Sequence, residues 1–205
     1  MRFGTHEKDV ERFDRWASTY DDSRLQKRVF RPVHDRVVEL ATRITPNASV
    51  ILDVGCGTGQ LLARLQDSFP DAHLLGVDAA PAMANSCNAR GFPSATGRAE
   101  QLPFRSESVD LALSTMSLHH WTDQSLGLSE ARRVLRLGGS FILVDGIVRT
   151  WLRPLFAVLR KRERLHTKKE IDSMLAHSGM HTTERSIVSG MWGGIAATVA
   201  RRPDQ

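Results

Sequence analysis

The segment Asp53-Val54-Gly55-Cys56-Gly57-Thr58-Gly59 is the most informative part of this sequence. The apolar run Ser49 to Val54 (SVILDV) predicts a buried parallel strand that leads into it. Leucines at helical spacing in Gln60 to Ser68 predict a helix directly after it. Glycines allow a tight turn and a close approach of the backbone to a ligand, and the N–H groups at the start of the helix point towards that ligand. The segment therefore predicts a strand, a ligand-binding loop and a helix.

The same alternation of strand and helix continues along the chain. Right-handed β-α-β units of this kind build a mainly parallel sheet that binds ligands at the carboxyl ends of its strands. We therefore predict an α/β, Rossmann-like, doubly wound fold. Gly138-Gly139 is predicted to end the helix Leu126 to Arg136. The predicted strands are Ala72 to Val77, Ser108 to Ser114 and Ser140 to Val144, and the predicted helices are Pro81 to Ala89 and Leu126 to Arg136.

Size and composition indicate one globular domain. The chain has 205 residues, of which 41% are hydrophobic and 25% charged, as in an ordinary folded protein. It has no apolar run of ~18 residues that would span a membrane, and its charged N-terminus lacks a signal-peptide core. Two cysteines, Cys56 and Cys87, exclude a disulfide framework and show no zinc spacing. We expect a cytoplasmic protein without a metal site.

The net charge of +5 is concentrated in one part of the chain, between Arg149 and Lys169. A basic segment can bind nucleic acid or an anionic membrane. Because no nucleic-acid-binding motif accompanies it, a solvated surface is the favoured interpretation.

Two acids next to the glycine loop indicate the cofactor. Asp78 follows the loop by about twenty residues, at the end of the second strand, where an acid accepts hydrogen bonds from ribose hydroxyls. A dinucleotide fingerprint would need a glycine where the chain has Gln60, and Asp53 would repel a pyrophosphate but attract an ammonium group. The residues thus favour S-adenosylmethionine over NAD. A tight turn without a ligand is the alternative interpretation.

Four segments in this order resemble the motifs of class I S-adenosylmethionine-dependent methyltransferases, in the ubiquinone/menaquinone-biosynthesis-type (type 11) branch. The resemblance covers Ile51 to Asp145 and implies a seven-stranded sheet with an antiparallel final strand. That branch methylates many small acceptors, so the resemblance specifies the cofactor but not the substrate. The segments are ILDVGCGTG (51–59), GVDAAPAM (76–83), GRAEQLPFRSESVDLALSTMSLHHW (97–121) and ARRVLRLGGSFILVD (131–145).

The resemblance implies a set of cofactor-binding residues. The glycine loop would wrap the methionine part, Asp53 would hold its amine directly or through water, and Asp78 would bind the ribose. Ala79 and Met83 would flank the adenine. The full implied set is Tyr20, Asp53, Gly55, Cys56, Gly57, Gly59, Asp78, Ala79, Met83, Arg98, Ala99 and Ser114.

Further roles follow from the same resemblance. Ala99 would offer its backbone to the adenine edge, and Ser114 would lie near the sulfonium. Arg98 stands where the family usually has an acid that accepts from the adenine amino group. Arginine cannot accept a hydrogen bond, so we expect it to stack on adenine or turn to solvent, with weaker cofactor binding.

The segment Glu7 to Tyr20 resembles the family's N-terminal cap helix, with Phe13, Trp16 and Tyr20 at helical spacing. The family often places a tyrosine such as Tyr20 against the carboxylate of the cofactor. For Phe13 and Trp16 the favoured interpretation is a packed helix face, and for Tyr20 the two interpretations stand equal.

Two histidines follow the strand that ends at Ser114. A histidine pKa near 6.5 suits a general base, so His120 or His119 is a candidate base for the acceptor, with His120 favoured. Alternatively, both histidines only position the loop or the cofactor. An ionised phenol or a nucleophilic amine would need no base. The sequence Ser114-Thr115-Met116-Ser117 lacks the motif of adenine or glutamine methylation.

We expect a single methyltransferase domain over residues 1–205. It would comprise an N-terminal helical cap (1–48), a cofactor-binding core (49–145), and a lid segment with a C-terminal hairpin (146–205). Within the last part, Thr167 to Ala176 is predicted to be a helix that Gly179 ends, followed by strands His181 to Ser189 and Ile195 to Arg201. The apolar and basic stretch Ile147 to Leu159 is predicted to be a lid, with plain packing or peripheral membrane contact as alternatives.

The sequence therefore predicts a methyltransferase that acts on a small O, N or C nucleophile, with hydrophobic acceptors included. The alternatives are a catalytically silent S-adenosylmethionine-binding partner protein, an RNA methyltransferase that uses the basic segment, and a nucleotide-linked oxidoreductase.

Overall fold

The computed structural model of the chain describes residues 6–22, 24–148, 165–189 and 193–205. In this part, seven strands form one sheet in the order β3-β2-β1-β4-β5-β7-β6. The neighbouring strands among β3, β2, β1, β4 and β5 are parallel to each other, whereas β7 is antiparallel to both of its neighbours, β5 and β6. The predicted Rossmann-like sheet with an antiparallel final strand is confirmed. The strands are β1 Val50–Val54, β2 His73–Asp78, β3 Ser94–Thr96, β4 Val109–Thr115, β5 Leu135–Val148, β6 His181–Ser189 and β7 Gly193–Arg201.

Helices cover both faces of the sheet. Short 3₁₀ turns at Ala17–Asp22 and Leu118–His120 follow the first helix and β4. The helices are α1 His6–Trp16, α2 Arg24–Ile44, α3 Gln60–Gln66, α4 Pro81–Ala89, α5 Gln124–Val134 and α6 Lys168–His177.

Two hydrophobic clusters lie on opposite faces of the sheet. Residues of α2 and α3 pack on one face with Ile51 and Leu113, while residues of α5 and α6 pack on the other with Leu52 and Phe141. Because successive side chains of a strand point to opposite faces, a strand covered on both sides is apolar throughout. This explains the uninterrupted apolar run before the glycine loop.

The prediction that Gly138-Gly139 ends the fifth helix is wrong. The helix ends at Val134, and Leu135 already has extended dihedral angles and begins β5. The backbone around the glycines pairs with the end of the chain, since Gly138 N–H donates to Arg202 O (3.2 Å) and Arg202 N–H to Gly139 O (2.9 Å). The guanidinium of Arg202 also donates to Leu135 O (2.6 Å) and stabilises the end of α5. Long-range pairing therefore overrides the local preference of the two glycines.

The predicted C-terminal elements are present. Thr167 and Glu170 form a reciprocal capping box at the start of α6, and Gly179 adopts a left-handed conformation (φ 81°) after its end. Most of the stretch predicted to be a lid lies outside the described residues, as does most of the basic segment. In the part of the chain that the structure describes, no helix has both the length and the apolarity needed to cross a bilayer.

We predict that Thr167→Ala lowers the free energy of unfolding by about 0.5–2 kcal/mol, because the hydroxyl that accepts from Glu170 N–H is lost. Urea denaturation followed by circular dichroism measures this. Thr167→Ser keeps the hydroxyl and serves as the control. An equal loss in both variants would contradict the capping role.

Candidate functional site

The glycine loop lies at the carboxyl end of β1 and is fixed by the end of β2. Gly55 N–H and Cys56 N–H donate to Val77 O at 2.8 and 3.1 Å. Gly57 has a left-handed φ of 53°, and a Cβ built on it would find no atom nearer than Tyr20 Cε1 at 4.0 Å. The backbone therefore presents an open face at Gly57 on the side of the N-terminal cap.

Asp78 connects the loop to the following helix. Its Oδ2 accepts from Gly57 N–H and its Oδ1 from Ala80 N–H, both at 2.9 Å. Burial raises the pKa of this carboxyl, and the two N–H bonds oppose that rise. A carboxylate oxygen has two lone pairs, so each oxygen can still accept one hydroxyl group.

A main cavity, which is open to solvent and has a volume of about 760 Å³ when that open space is included, lies between the strand ends and α1. Its wall is formed by the loops after β1, β2, β3 and β4 on one side and by α1 and the 3₁₀ turn after it on the other. A side cavity of about 350 Å³ shares five wall residues with the main cavity, namely Tyr20, Phe30, Gly55, Gly57 and Thr115.

Asp53 faces the side cavity and is 1% exposed. Its Oδ1 has no hydrogen-bond partner among the described residues, and burial raises its pKa well above the ordinary value. His34 lines the same cavity, where burial, followed by the charge of Arg64, lowers its pKa to about 4. A buried carboxylate without a partner is costly, so the site suits a ligand that brings a cation.

The structure brings most of the predicted site residues together. It does not bring Gly59, Ser114 or His119 to either wall. Ser114 is fully buried, and Thr115 takes the place on the cavity side. Asp53 and Cys56 line only the side cavity. The predicted residues that line the main cavity are Tyr20, Gly55, Gly57, Asp78, Ala79, Met83, Arg98, Ala99 and His120.

Each of the two histidines is held by a different aspartate. His119 Nδ1 lies 2.7 Å from Asp145 Oδ1, and the backbone N–H of His119 donates to Asp145 Oδ2. His120 Nδ1 lies 3.2 Å from Asp9 Oδ2, and its ring centroid is 5.1 Å from that of Phe13. Burial, and then the nearby His119, lower the pKa of His120 to about 4. His120 is therefore neutral at physiological pH and lies in the wall of the main cavity.

Sequence reasoning missed several wall residues. Phe13 was assigned to helix packing; it does pack on Trp16 and Tyr20, and it also lines the main cavity. Some of the missed residues belong to α1 and α2, namely Asp9, Val10 and Phe30 in the main cavity and His34 in the side cavity. Others lie at the end of β4 and in the loop after it, inside the segment 97–121, where the resemblance assigned them no role; they include Thr115, Met116, Ser117 and Trp121.

Comparisons with known proteins agree with this geometry. A family model described as a methyltransferase domain matches residues 52–143. The malonyl-[acyl-carrier protein] O-methyltransferase of Dechloromonas aromatica is 35% identical, over 82% of this chain and 63% of that protein. The protein of the same description from Geobacter sulfurreducens is 33% identical, over 84% of this chain and 69% of that protein. The chain thus spans about two thirds of the length of these relatives.

One solved structure shows the likeness of fold. It is the methyltransferase bound to the Haloferax volcanii Trm112 methyltransferase activator, which has a TM-score of 0.75. That chain is 20% identical, over 93% of this chain and 97% of its own length.

We predict that His34 makes the protein less stable in acid. Its pKa falls from 6.5 to about 4 on folding, so the unfolded state binds the proton first. The contribution of neutral His34 to the free energy of unfolding is fully present above pH 6.5. It is lost as the pH falls towards 4, by at most roughly 3 kcal/mol. Urea denaturation at pH 7 and pH 4.5 measures the loss. His34→Gln does not titrate and should lose less stability over this interval; an equal loss would contradict the assignment.

Proposed function

Since the chain belongs to the family of class I S-adenosylmethionine-dependent methyltransferases, we propose that it transfers a methyl group to a small acceptor in the main cavity. The observation that carries this proposal is the pair of acids on either side of the glycine loop. Oδ1 of the buried Asp53 has no hydrogen-bond partner among the described residues, and Asp78 has lone pairs left for hydroxyl groups. A ligand with an ammonium group and a ribose satisfies both.

The methionine part of the cofactor suits the side cavity. Asp53 would accept from its ammonium group, and Tyr20 would lie near its carboxylate. Gly57 would let the cofactor contact the backbone closely, because a side chain at this position would project into the open space next to Tyr20. Binding would ionise Asp53, since a cation lowers the pKa of a buried acid.

The adenosine part suits the main cavity. Asp78 would bind the ribose hydroxyls, with Ala79 and Met83 on one side of the adenine and Ala99 at its edge. The exposed Arg98 would stack on the base. Thr115, rather than the buried Ser114, would lie next to the sulfonium.

The bound cofactor supplies an activated methyl group on a positive sulfur, which is a good leaving group. The residues of the chain then have to place the acceptor in line with that methyl and exclude water. Phe13, Met116 and Trp121 give the main cavity an apolar wall for this purpose. His120, which lies in the same wall, would be the candidate residue for taking a proton from the acceptor.

The first candidate acceptor is the free carboxylate of a malonyl thioester carried on an acyl carrier protein. It is supported by the names of the relatives, which are O-methyltransferases of malonyl-[acyl-carrier protein]. A carboxylate is already ionised at neutral pH and needs no base. The product would be a methyl ester.

The second candidate acceptor is a neutral hydroxyl or amine. It is supported by the pairing of His120 with Asp9 in the cavity wall. If Nδ1 donates its hydrogen to Asp9, Nε2 carries the lone pair of a base. His120 would then remove the acceptor proton during methyl transfer.

We predict that the protein binds S-adenosylhomocysteine and that Asp78→Ala weakens binding at least ~100-fold, because it removes the ribose acceptor and the partner of Gly57 N–H. Isothermal titration calorimetry measures this. Asp71→Ala changes an exposed acid outside both cavities and should bind as the wild type does. Binding of NAD by the wild type, with no response to S-adenosylhomocysteine, would overturn the proposed function.

We predict methyl transfer from labelled S-adenosylmethionine to malonyl-[acyl-carrier protein], and His120→Gln should keep most of this activity because the acceptor is already ionised. Glutamine retains a donor for Asp9. The same assay with phenols and amines tests the second candidate. Turnover of a phenol that falls by about 100-fold or more in His120→Gln would favour it over the first.

A further inference from the structure

The cap segment, residues 6–22, forms part of the wall of the main cavity. Asp9, Val10, Phe13 and Tyr20 of this segment face the strand ends across the cavity. A ligand bound in the main cavity would therefore lie against the cap segment. The contacts that hold the cap segment in place are candidates for controlling the release of such a ligand.

The apolar contact under the cap segment is small. Among the described residues, one cluster joins it to α4. Its buried members are Ala17, Ala80 and Met83, and its partly buried members are Val10, Phe13, Tyr20 and Ala82. Polar bonds add to this contact at three aspartates. Asp9 pairs with His120, and Asp14 Oδ1 accepts from Ala82 N–H (2.7 Å) at the start of α4. Asp21 makes the third set of bonds.

Asp21 gathers donors from three elements of the core. Its Oδ1 accepts from Thr58 Oγ1 at 2.7 Å and from Gln60 Nε2 at 2.5 Å. Its Oδ2 forms an ion pair with Arg90, the residue that follows α4. Arg90 Nε also donates to Thr58 O at 2.8 Å. One carboxylate of the cap segment thus holds the glycine loop, the first turn of α3 and the end of α4.

Gln60 lines the side cavity and is also bonded to the cap segment. It occupies the position where a dinucleotide fingerprint would have its third glycine, and its amide donates to Asp21. A glycine there could not make this bond. The residue that distinguishes the loop from a dinucleotide-binding loop is also a partner of the cap segment.

We propose that Asp21 is a positioning residue that holds the cap segment closed over the cofactor and sets the rate at which the cofactor is released. The proposal rests on the proposed binding of S-adenosylmethionine in the two cavities. Asp21 is adjacent to Tyr20, which lines both cavities, so release of its carboxylate frees the wall residue next to it. Bonds to an ionised acceptor are stronger than neutral ones, so one carboxylate with three donors makes an effective closure.

The test is the dissociation rate of S-adenosylhomocysteine from the immobilised full chain, measured by surface plasmon resonance. Asp21→Asn loses the charge and cannot accept from all three donors, and we expect it to release the ligand roughly tenfold faster. Asp71→Asn removes an exposed negative charge elsewhere and should release it at the wild-type rate. Thermal melting of the ligand-free proteins shows whether the variants fold.

A second pair of variants keeps the test independent of folding. Gln60→Glu places two carboxylates together at the start of α3, where an acid suits the helix N-terminus, so we expect faster release from a folded protein. Combining Gln60→Glu with Asp21→Asn exchanges donor and acceptor, and should slow release again relative to either single variant.

The outcomes separate the two proposals. A wild type that does not bind S-adenosylhomocysteine overturns the proposed function. A wild type that binds, with unchanged dissociation rates in Asp21→Asn and Gln60→Glu, overturns the role of Asp21. So does an equal acceleration in Asp71→Asn, or a double variant faster than both single variants.

Discussion

The half-buried carboxylate of Asp78 fixes the shape of the glycine loop at the carboxyl edge of the sheet. By accepting from Gly57 N–H and Ala80 N–H, it joins the loop after β1 to the start of α4. The left-handed turn at Gly57 thus has a partner from a neighbouring strand, and the cavity wall is set before any ligand binds. Preorganisation of this kind lowers the entropy that binding must overcome. The ribose acceptor is the same group that shapes the loop.

Three aspartates lie near the carboxyl ends of strands at this edge, and their surroundings give them different chemistry. Asp53 in β1 is buried, and its Oδ1 has no hydrogen-bond partner among the described residues. Asp78 at the end of β2 is bound by backbone N–H groups, and Asp145 in β5 is bound by His119. An identical side chain thus becomes a site for a cation, a support for a loop, or a support for a histidine. Burial and hydrogen bonding decide between these roles, and neither is visible in the residue type.

The sequence was sufficient to predict what depends on local pattern. Pro81–Ala89 begins and ends where its pattern predicted, and the glycine loop with its two acids is placed as expected. What failed depends on distant partners. The bounds of α2 were not predicted, and the three-residue strand β3 is too short to show a period. Gly138-Gly139 was misassigned because β5 begins at Leu135, directly after α5, and the backbone of the two glycines pairs with Arg202.

The candidate site was predictable to a similar depth. Residues in the glycine loop and at the end of β2 carry motifs, so they could be named. Asp9 and Asp21 lie in the cap segment, and their partners follow 111 and 37 to 69 residues later. No spacing rule links such positions, and only the fold brings them together. Ser114, which the resemblance placed near the sulfonium, is buried in β4, whereas its neighbour Thr115 lines both cavities.

The strand order has a consequence for how the chain is made. In the described structure β6 pairs only with β7, and β7 separates it from β5. During synthesis β6 emerges first and has no edge to join, while the edge of β5 stays unpaired from Val148 until Gly193–Arg201 follows. Unpaired edges are the places where growing chains associate wrongly. The antiparallel strand β7, which completes the sheet, thus also determines when the edge of β5 becomes protected.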